Sequence, residues 1–397
     1  MFRLTELDRR RIRNFRANKR AIWSLRIFSV LFIFSLFAEF VANDKPILIS
    51  YRGEFYTPIW NTYTETQFNG EEETAADYTD PVVRCLIKTG GNDEACFDED
   101  DAKYDIRIEV RERAEKDGLS AEETAALLEK RFAEVPAPQV MEGQEAGWMI
   151  RPLIPYAYDT VNRDVEHAIS PPDGKHWLGT DDQTRDVVAR IIYGFRLSVL
   201  FGFAVTLVSA VIGIIAGAAQ GFFGGWVDLF FQRIEEVWSS MNTLYILLIV
   251  SSLLTLNVWW MFLIFIMFSW TALIGVVRAE FLRARNFEYV QAARALGVGD
   301  WKIMFRHLLP NAMVATLTML PFMLTGSISL LAGLDFLGFG LGNDYPSLGE
   351  LAEQANSNLQ APWLAISAFF TFAIMLSLMV FIFEGVRDAF DPRKTFK

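Results

Sequence analysis

Residues able to do chemistry are few in this 397-residue chain, and their placement excludes most kinds of it. The two cysteines, Cys85 and Cys96, and the three histidines, His167, His176 and His307, lie in unrelated places, so no set of three or four ligands at metal-site spacing occurs. No glycine-rich loop ending in Lys-Ser/Thr is found, so the chain cannot cradle ATP in that way. The apolar segments hold no nucleophile–base pair. Cys85 and Cys96 can close a short loop as a disulfide if they face an oxidising compartment, or remain two free thiols; the sequence leaves both open. The one richly patterned stretch is mechanical rather than catalytic. It runs from Glu288 through Gln291, Ala292, Ala293 and Arg294 to Gly297, and on to His307, Leu309 and Pro310. Phe287, Val290, Ala293 and Leu296 recur at helical spacing and predict one apolar stripe. Gly297 fits the position just past a helix end, where a left-handed backbone closes the helix. A second short helix is expected next, with Pro310-Asn311 turning the chain into an apolar run. Such a knob, fixed to two spans, suits the reception of motion from a soluble partner.

The elements that must position this knob are membrane spans. Hydrophobic residues make up 52% of the chain and charged ones still 21%, a combination expected when charge is confined to loops between apolar segments of roughly 20 residues. The net charge of −11 belongs to one stretch: residues 71–134 hold 20 acids and 9 bases, leaving 28 of each elsewhere. No basic domain or aromatic-basic module points to nucleic acid. Segment 1–21 is basic (Arg3, Arg9, Arg10, Arg11, Arg13, Arg16, Lys19, Arg20), and an apolar run follows over 22–42, too long for a signal peptide. Five further runs lie at Leu197–Gln220, Val237–Leu256, Val258–Val277, Ala312–Leu334 and Pro362–Glu384. Six crossings return the C-terminus to the cytoplasmic side. The bases of loop 278–311 and of tail 385–397, with Arg387, Arg393, Lys394 and Lys397, agree with that orientation. Asp228, Arg233, Glu235 and Glu236 then form a solvated cytoplasmic face.

Residues 43–196 contain no spanning run and are expected to form one large extracytoplasmic domain of α/β character, with 71–134 as an acidic insert. Ile47–Tyr56 alternates around Arg52-Gly53, a hairpin signal. Tyr104, Ile106, Ile108 and Val110 alternate with charges and suggest a strand, after a looser stretch near Gly90–Asp101. Ser120 with Glu123 makes a capping box for a helix ending near Glu134.

Ala292-Ala293, Gly297 and Leu309-Pro310 together resemble the EAA loop of ATP-binding cassette importer permeases, with Gln291 where that motif has Glu and His307 where it often has Ile. Gly179-Thr180-Asp181 and Arg185-Asp186, Gly221–Asp228 and Leu334–Gly340 resemble segments flanking the spans of dipeptide and oligopeptide permeases; Thr184 stands where that branch usually has Gly. Asn43–Pro46, Gly275–Leu282, Asn311–Leu317 and Ala389–Pro392 are similar to the Yej-type permeases of microcin C and oligopeptide importers. The resemblance implies an all-α, six-helix type I permease of the bacterial inner membrane with both termini cytoplasmic. It further implies a second permease subunit, an ATPase partner that binds ATP and Mg, a periplasmic peptide-binding protein and surrounding membrane lipid. Glu288–Pro310 would be the ATPase contact. The chain itself needs no cofactor. An ion-gradient-driven transporter is the rival reading; its usual paired intramembrane acids and inverted repeats are not evident.

Overall fold

The structure, a computed structural model, describes residues 6–162, 165, 168–253, 257–342 and 344–390. Arg3, His167, Leu256, Asp391-Pro392 and the tail bases Arg393, Lys394 and Lys397 lie outside the described residues. The chain divides into two compact units: a helical one, Met1–Leu36 with Val161–Lys397, and an inserted one, Phe37–Thr160. The inserted unit is therefore shorter than the expected 43–196. Asp181, Asp186 and Arg190, within the expected range, find their partners in the helical unit instead.

The helical unit opens with α1 (Glu6–Ala17) and α2 (Lys19–Leu36), joined at Asn18, whose Oδ1 accepts from the Ala21 amide at 3.2 Å. In the inserted unit, α3 (Ala38–Val41) precedes β1 (Leu48–Tyr51) and β2 (Glu54–Tyr56), which form the expected hairpin. Its turn residues Arg52 and Gly53 both have positive φ, 50° and 81°, matching the right-handed twist of the strands. After α4 (Pro81–Thr89), α5 (Asp93–Asp117) and α6 (Ala121–Phe132), β3 (Trp148–Ile150) pairs antiparallel with β1, giving the sheet order β2-β1-β3. One face of the sheet packs Ile49 and Tyr51 against Phe68, Tyr78, Val83 and Ile87. The Ser120–Glu123 capping box is formed. The strand expected over Tyr104–Val110 is instead part of α5, and the looser stretch before it is mostly that helix as well. Only Val110 of the alternating set is buried, so the period-two pattern records no sheet face. Strong helix formers, the Asn92 cap and Gly118 at φ 64° decide for helix. Cys85 and Cys96 are bonded, with Cα atoms 5.6 Å apart.

Four helices among the described residues are long and apolar enough to cross a membrane: Val187–Phe223, Val258–Ala284, Ala315–Phe336 and Pro362–Phe390. The first, α7 (Val187–Phe223), spans about 55 Å at the usual helical rise. It begins ten residues before the expected Leu197, since Arg190 and Arg196 interrupt the apolar run without breaking the helix. The run expected as one span over Val237–Leu256 is divided between α8 (Gly225–Ser240) and α9 (Thr243–Leu253). Asn242 marks the break: its side chain accepts from the Leu244 amide at 3.0 Å, competing with helix continuation. Then come α10 (Val258–Ser269) and α11 (Thr271–Ala284), α12 (Glu288–Ala295) and α13 (Asp300–Lys302). A π-helical stretch, Ile303–Leu308, leads into α14 (Leu309–Phe336), followed by α15 (Leu348–Ser357) and α16 (Pro362–Phe390). The wide turn sits where Pro310 supplies no N–H and crowds the carbonyl four residues back, so the second short helix, α13, runs on through it into α14 without the turn expected at Pro310-Asn311. Close packing of α7 on α11 needs glycine: a Cβ on Gly213 would lie 2.5 Å from the Trp270 carbonyl oxygen.

Candidate functional site

Two constellations in the helical unit gather the residues singled out by sequence. The first surrounds the start of α7. Gly179 has φ 76°, and a side chain there would meet the Ser170 carbonyl oxygen at 2.5 Å. Thr180 is fully buried; its hydroxyl donates to the Ala168 carbonyl (3.1 Å) and accepts from the Ser170 amide (2.9 Å). Asp181, also fully buried, accepts from the Arg185 amide (2.8 Å) and Nε (2.7 Å) and from Arg190 Nη1 (2.5 Å). Both arginines then reach Glu350 of α15: Arg185 Nη2 donates to Oε1 at 3.0 Å, and Arg190 Nη2 donates to Oε2. Asp186 caps α7 by accepting from the Ala189 amide (2.8 Å), and its other oxygen lies 2.9 Å from His176 Nδ1. Asn162 Nδ2 lies 2.7 Å from His176 Nε2, so both ring nitrogens are held by side chains. At the rim, burial first and the neighbouring Asp181 second push the Asp182 carboxyl above its ordinary value.

The cluster is tied onward to α14. Asp335 accepts from the Leu341 amide (2.8 Å) and the Ser347 hydroxyl (2.5 Å), and Ser347 caps α15 through the Gly349 and Glu350 amides. The segments Gly179–Asp186 and Leu334–Gly340, which looked like separate motifs, thus meet at one end of the α7–α14–α15 packing. Arg190 and Glu350 complete the cluster and escaped sequence reading. Arg190 lies seven residues before the expected span and in none of the motifs, and Glu350 stands 160 residues away with no local pattern to flag it. Thr184, at the position where the resembling branch has Gly, has φ 61°, which a β-branched residue rarely adopts, and its hydroxyl is buried without a partner.

The second constellation is the helical knob. Glu288, Gln291, Ala292 and Arg294 are exposed on α12, Ala293 is half-buried and Val290 is fully buried against Phe281, Ile303 and Met304. Gly297 follows the helix at φ 74°, as its position predicted. The stripe is only half realised: Val290 and Ala293 face inward, whereas Phe287 (43% exposed) and Leu296 (83%) face outward. Trp301 and Phe305, stacked at 5.8 Å, extend this exposed apolar surface. Gln291 Nε2 donates locally to the Asn286 carbonyl at 3.3 Å, and the Arg294 guanidinium lies over the Phe222 ring at 5.0 Å. His307 and Leu309 are half-buried and Pro310 exposed. The base of the knob is fastened to α8. Asp228, expected on a solvated face, accepts a bidentate pair from Arg278 Nε (2.6 Å) and Nη2 (2.8 Å), which holds its carboxyl below the ordinary range. Arg233 does remain exposed, paired with Glu236 at 2.5 Å. Nothing in either constellation is arranged to break or form a covalent bond; one is an internally paired clamp and the other an open apolar platform.

The profile of the family described as the binding-protein-dependent transport system inner membrane component matches residues 188–396, and the chain belongs to that family. Its members are permease subunits of ATP-binding cassette transporters and have no ATPase site of their own, which sets aside the ion-driven alternative. The family implies an ATPase partner and a substrate-binding protein. Over nearly its full length the chain is similar to the peptidoglycan transport system permease protein YejE of Agrobacterium fabrum, 47% identical across 98% of this chain and 94% of the relative. It is likewise 45% identical to the inner membrane ABC transporter permease protein YejE of Escherichia coli K12, across 99% of each. The oligopeptide transport system permease protein OppC of Lactococcus lactis subsp. cremoris is 32% identical across 58% of this chain and 80% of the relative. The chain is a multi-pass membrane permease.

Proposed function

We propose that this permease carries short peptides and peptide-like compounds from periplasm to cytoplasm, driven by an ATPase that docks on Glu288–Pro310. Six spans, both termini cytoplasmic and the inserted unit periplasmic give the topology, with α2 as the first span and α8–α9 supplying the third. A second permease subunit completes the pathway, and a periplasmic binding protein delivers cargo. The substrate class rests on relatives whose names specify oligopeptide and peptidoglycan transport; microcin C-type antibiotics enter only through the resemblance in the sequence.

The observation that carries the coupling role is an exposed apolar surface, Phe287, Leu296 and Trp301, mounted on a rigid base. Single exposed apolar residues are ordinary, but several large ones on one short loop between two spans, Phe287, Leu296, Trp301 and Phe305, are the kind of surface a partner covers. Val290, Ile303 and Met304 bury the other side of the knob against α11, and Arg278–Asp228 locks that helix to α8. A push on the platform is therefore transmitted to α11 and α14 rather than absorbed by a flexible loop. ATP closing the partner's cleft would rock these helices between inward- and outward-open states, an equilibrium that the loaded binding protein also biases.

The test is a bulky charged replacement, Gly297→Arg, in the assembled importer. A Cβ at Gly297 would meet no heavy atom within 4 Å, but its φ is unfavourable by about 1–2 kcal/mol for a side chain, so membrane insertion should survive while the platform is disturbed. Peptide uptake in proteoliposomes should fall to background with insertion unchanged. Normal uptake and ATPase association would remove the coupling assignment.

A further inference from the structure

The inserted unit holds a cleft that this transport cycle does not use. Its volume is about 510 Å³, within the range of small-molecule sites of about 300–1,000 Å³. One wall is α4, presenting Arg84 and Lys88; the other is α5, presenting Glu99, Asp100 and Lys103. The Cys85–Cys96 bond also lines the cleft and fixes the spacing of these two walls.

The distribution of charge is unusual for this part of the chain. Three of the nine bases in the acidic stretch 71–134 converge here. Arg84 and Lys88 are four residues apart on one helix face, an arrangement in which like charges repel unless an anion lies between them. Arg84 Nε donates only to the Asp80 carbonyl oxygen, at 3.2 Å, and Lys88 is exposed with no ion pair among the described residues. On the facing wall Lys103 pairs with Glu99, and Asp100 makes no ion pair among the described residues. The cleft is thus dipolar, with a cationic wall opposite an anionic one. Burial first and the neighbouring Asp80 second raise the Asp100 carboxyl above its ordinary value, against the opposing pull of Arg107 and Lys103; a bound cation would lower it.

We propose that this cleft binds a short free peptide, its α-carboxylate between Arg84 and Lys88 and its α-ammonium at Asp100. The proposal rests on the periplasmic placement of this unit given above. It adds to the importer a ligand site on the permease itself, separate from the coupling knob and from the paired clamp at α7.

The experiment is calorimetric titration of trialanine, and of N-acetyl-trialanine amide, into the purified full-length chain. Trialanine should bind saturably and the doubly blocked peptide should not, a comparison that needs no variant. Arg84→Gln with Lys88→Gln, and separately Asp100→Asn, should each weaken trialanine by roughly fivefold or more while the melting temperature and the disulfide stay intact. Equal heats for free and blocked peptide, no saturable heat for either, or unaltered affinity in both variants would overturn the site. Uptake by the wild-type complex is read separately: loss of binding with uptake intact removes the cleft alone, whereas absent uptake removes the importer reading.

Discussion

The two constellations of the helical unit solve opposite problems. At the start of α7, Asp181, Arg185, Arg190 and Glu350 are almost wholly buried and pair with one another, leaving Arg190 Nε without a hydrogen-bond partner among the described residues. On the knob, Phe287, Leu296 and Trp301 leave large apolar surfaces in the open. A buried ionic cluster gains little net stability over apolar packing, yet removing one member is costly, so it fixes one geometry and tolerates few others. An exposed apolar platform fixes nothing until a partner covers it. The contrast separates where this protein keeps its shape from the surface we propose an ATPase covers: charges are turned inward to set the ends of α7 and α15, and apolar surface is presented outward.

The sharpest way to break that contrast is Arg190→Ala, which strands Asp181 and Glu350 with one cation between them. The expected loss is roughly 3–5 kcal/mol, read as a large fall in the melting temperature of the detergent-solubilised chain. A variant melting with wild type would show the cluster to be idle. Leu296→Glu addresses the other side. Its effect on melting should stay within about 0.5 kcal/mol, while ATPase affinity drops by roughly 2 kcal/mol, about thirtyfold, in a binding titration. Asp228→Asn weakens the bidentate hold on Arg278; because the pair is partly exposed, about 1 kcal/mol is expected, seen as faster proteolysis after Gly225. Smallest is Thr184→Gly, which should stabilise by about 0.5–1 kcal/mol by relieving the left-handed backbone, less the entropy that glycine adds to the unfolded chain. Destabilisation by that change would mean that the Thr184 side chain makes a contribution its geometry hides.

Local chemistry was legible in the sequence; long-range pairing was not. The Arg52-Gly53 turn, the Ser120–Glu123 cap and the Gly297 helix stop each depend on a few adjacent residues, and all three form. Tyr104–Val110 misled because alternation is a statement about burial, and this segment is a mostly exposed helix in which no alternating face is buried. Asp228 and Arg278, fifty residues apart, read as two solvated charges until α8 and α11 are packed together. The same holds for Glu350, whose partners lie in another loop entirely. Thr184 is the reverse case: the departure from glycine was visible in the sequence, but its left-handed backbone could be seen only in the fold.

Leu296 and Leu359 offer a matched pair, each 83% exposed, one on the knob and one just beyond α15. Replacing each in turn with a photo-crosslinking amino acid, then irradiating cells and identifying the adducts by mass spectrometry, compares the two ends of the helical unit directly. The expected result is a P-loop ATPase captured at position 296 and none at 359. Equal capture at both positions, or capture at 359 alone, would contradict the assignment of Glu288–Pro310 as the ATPase docking surface.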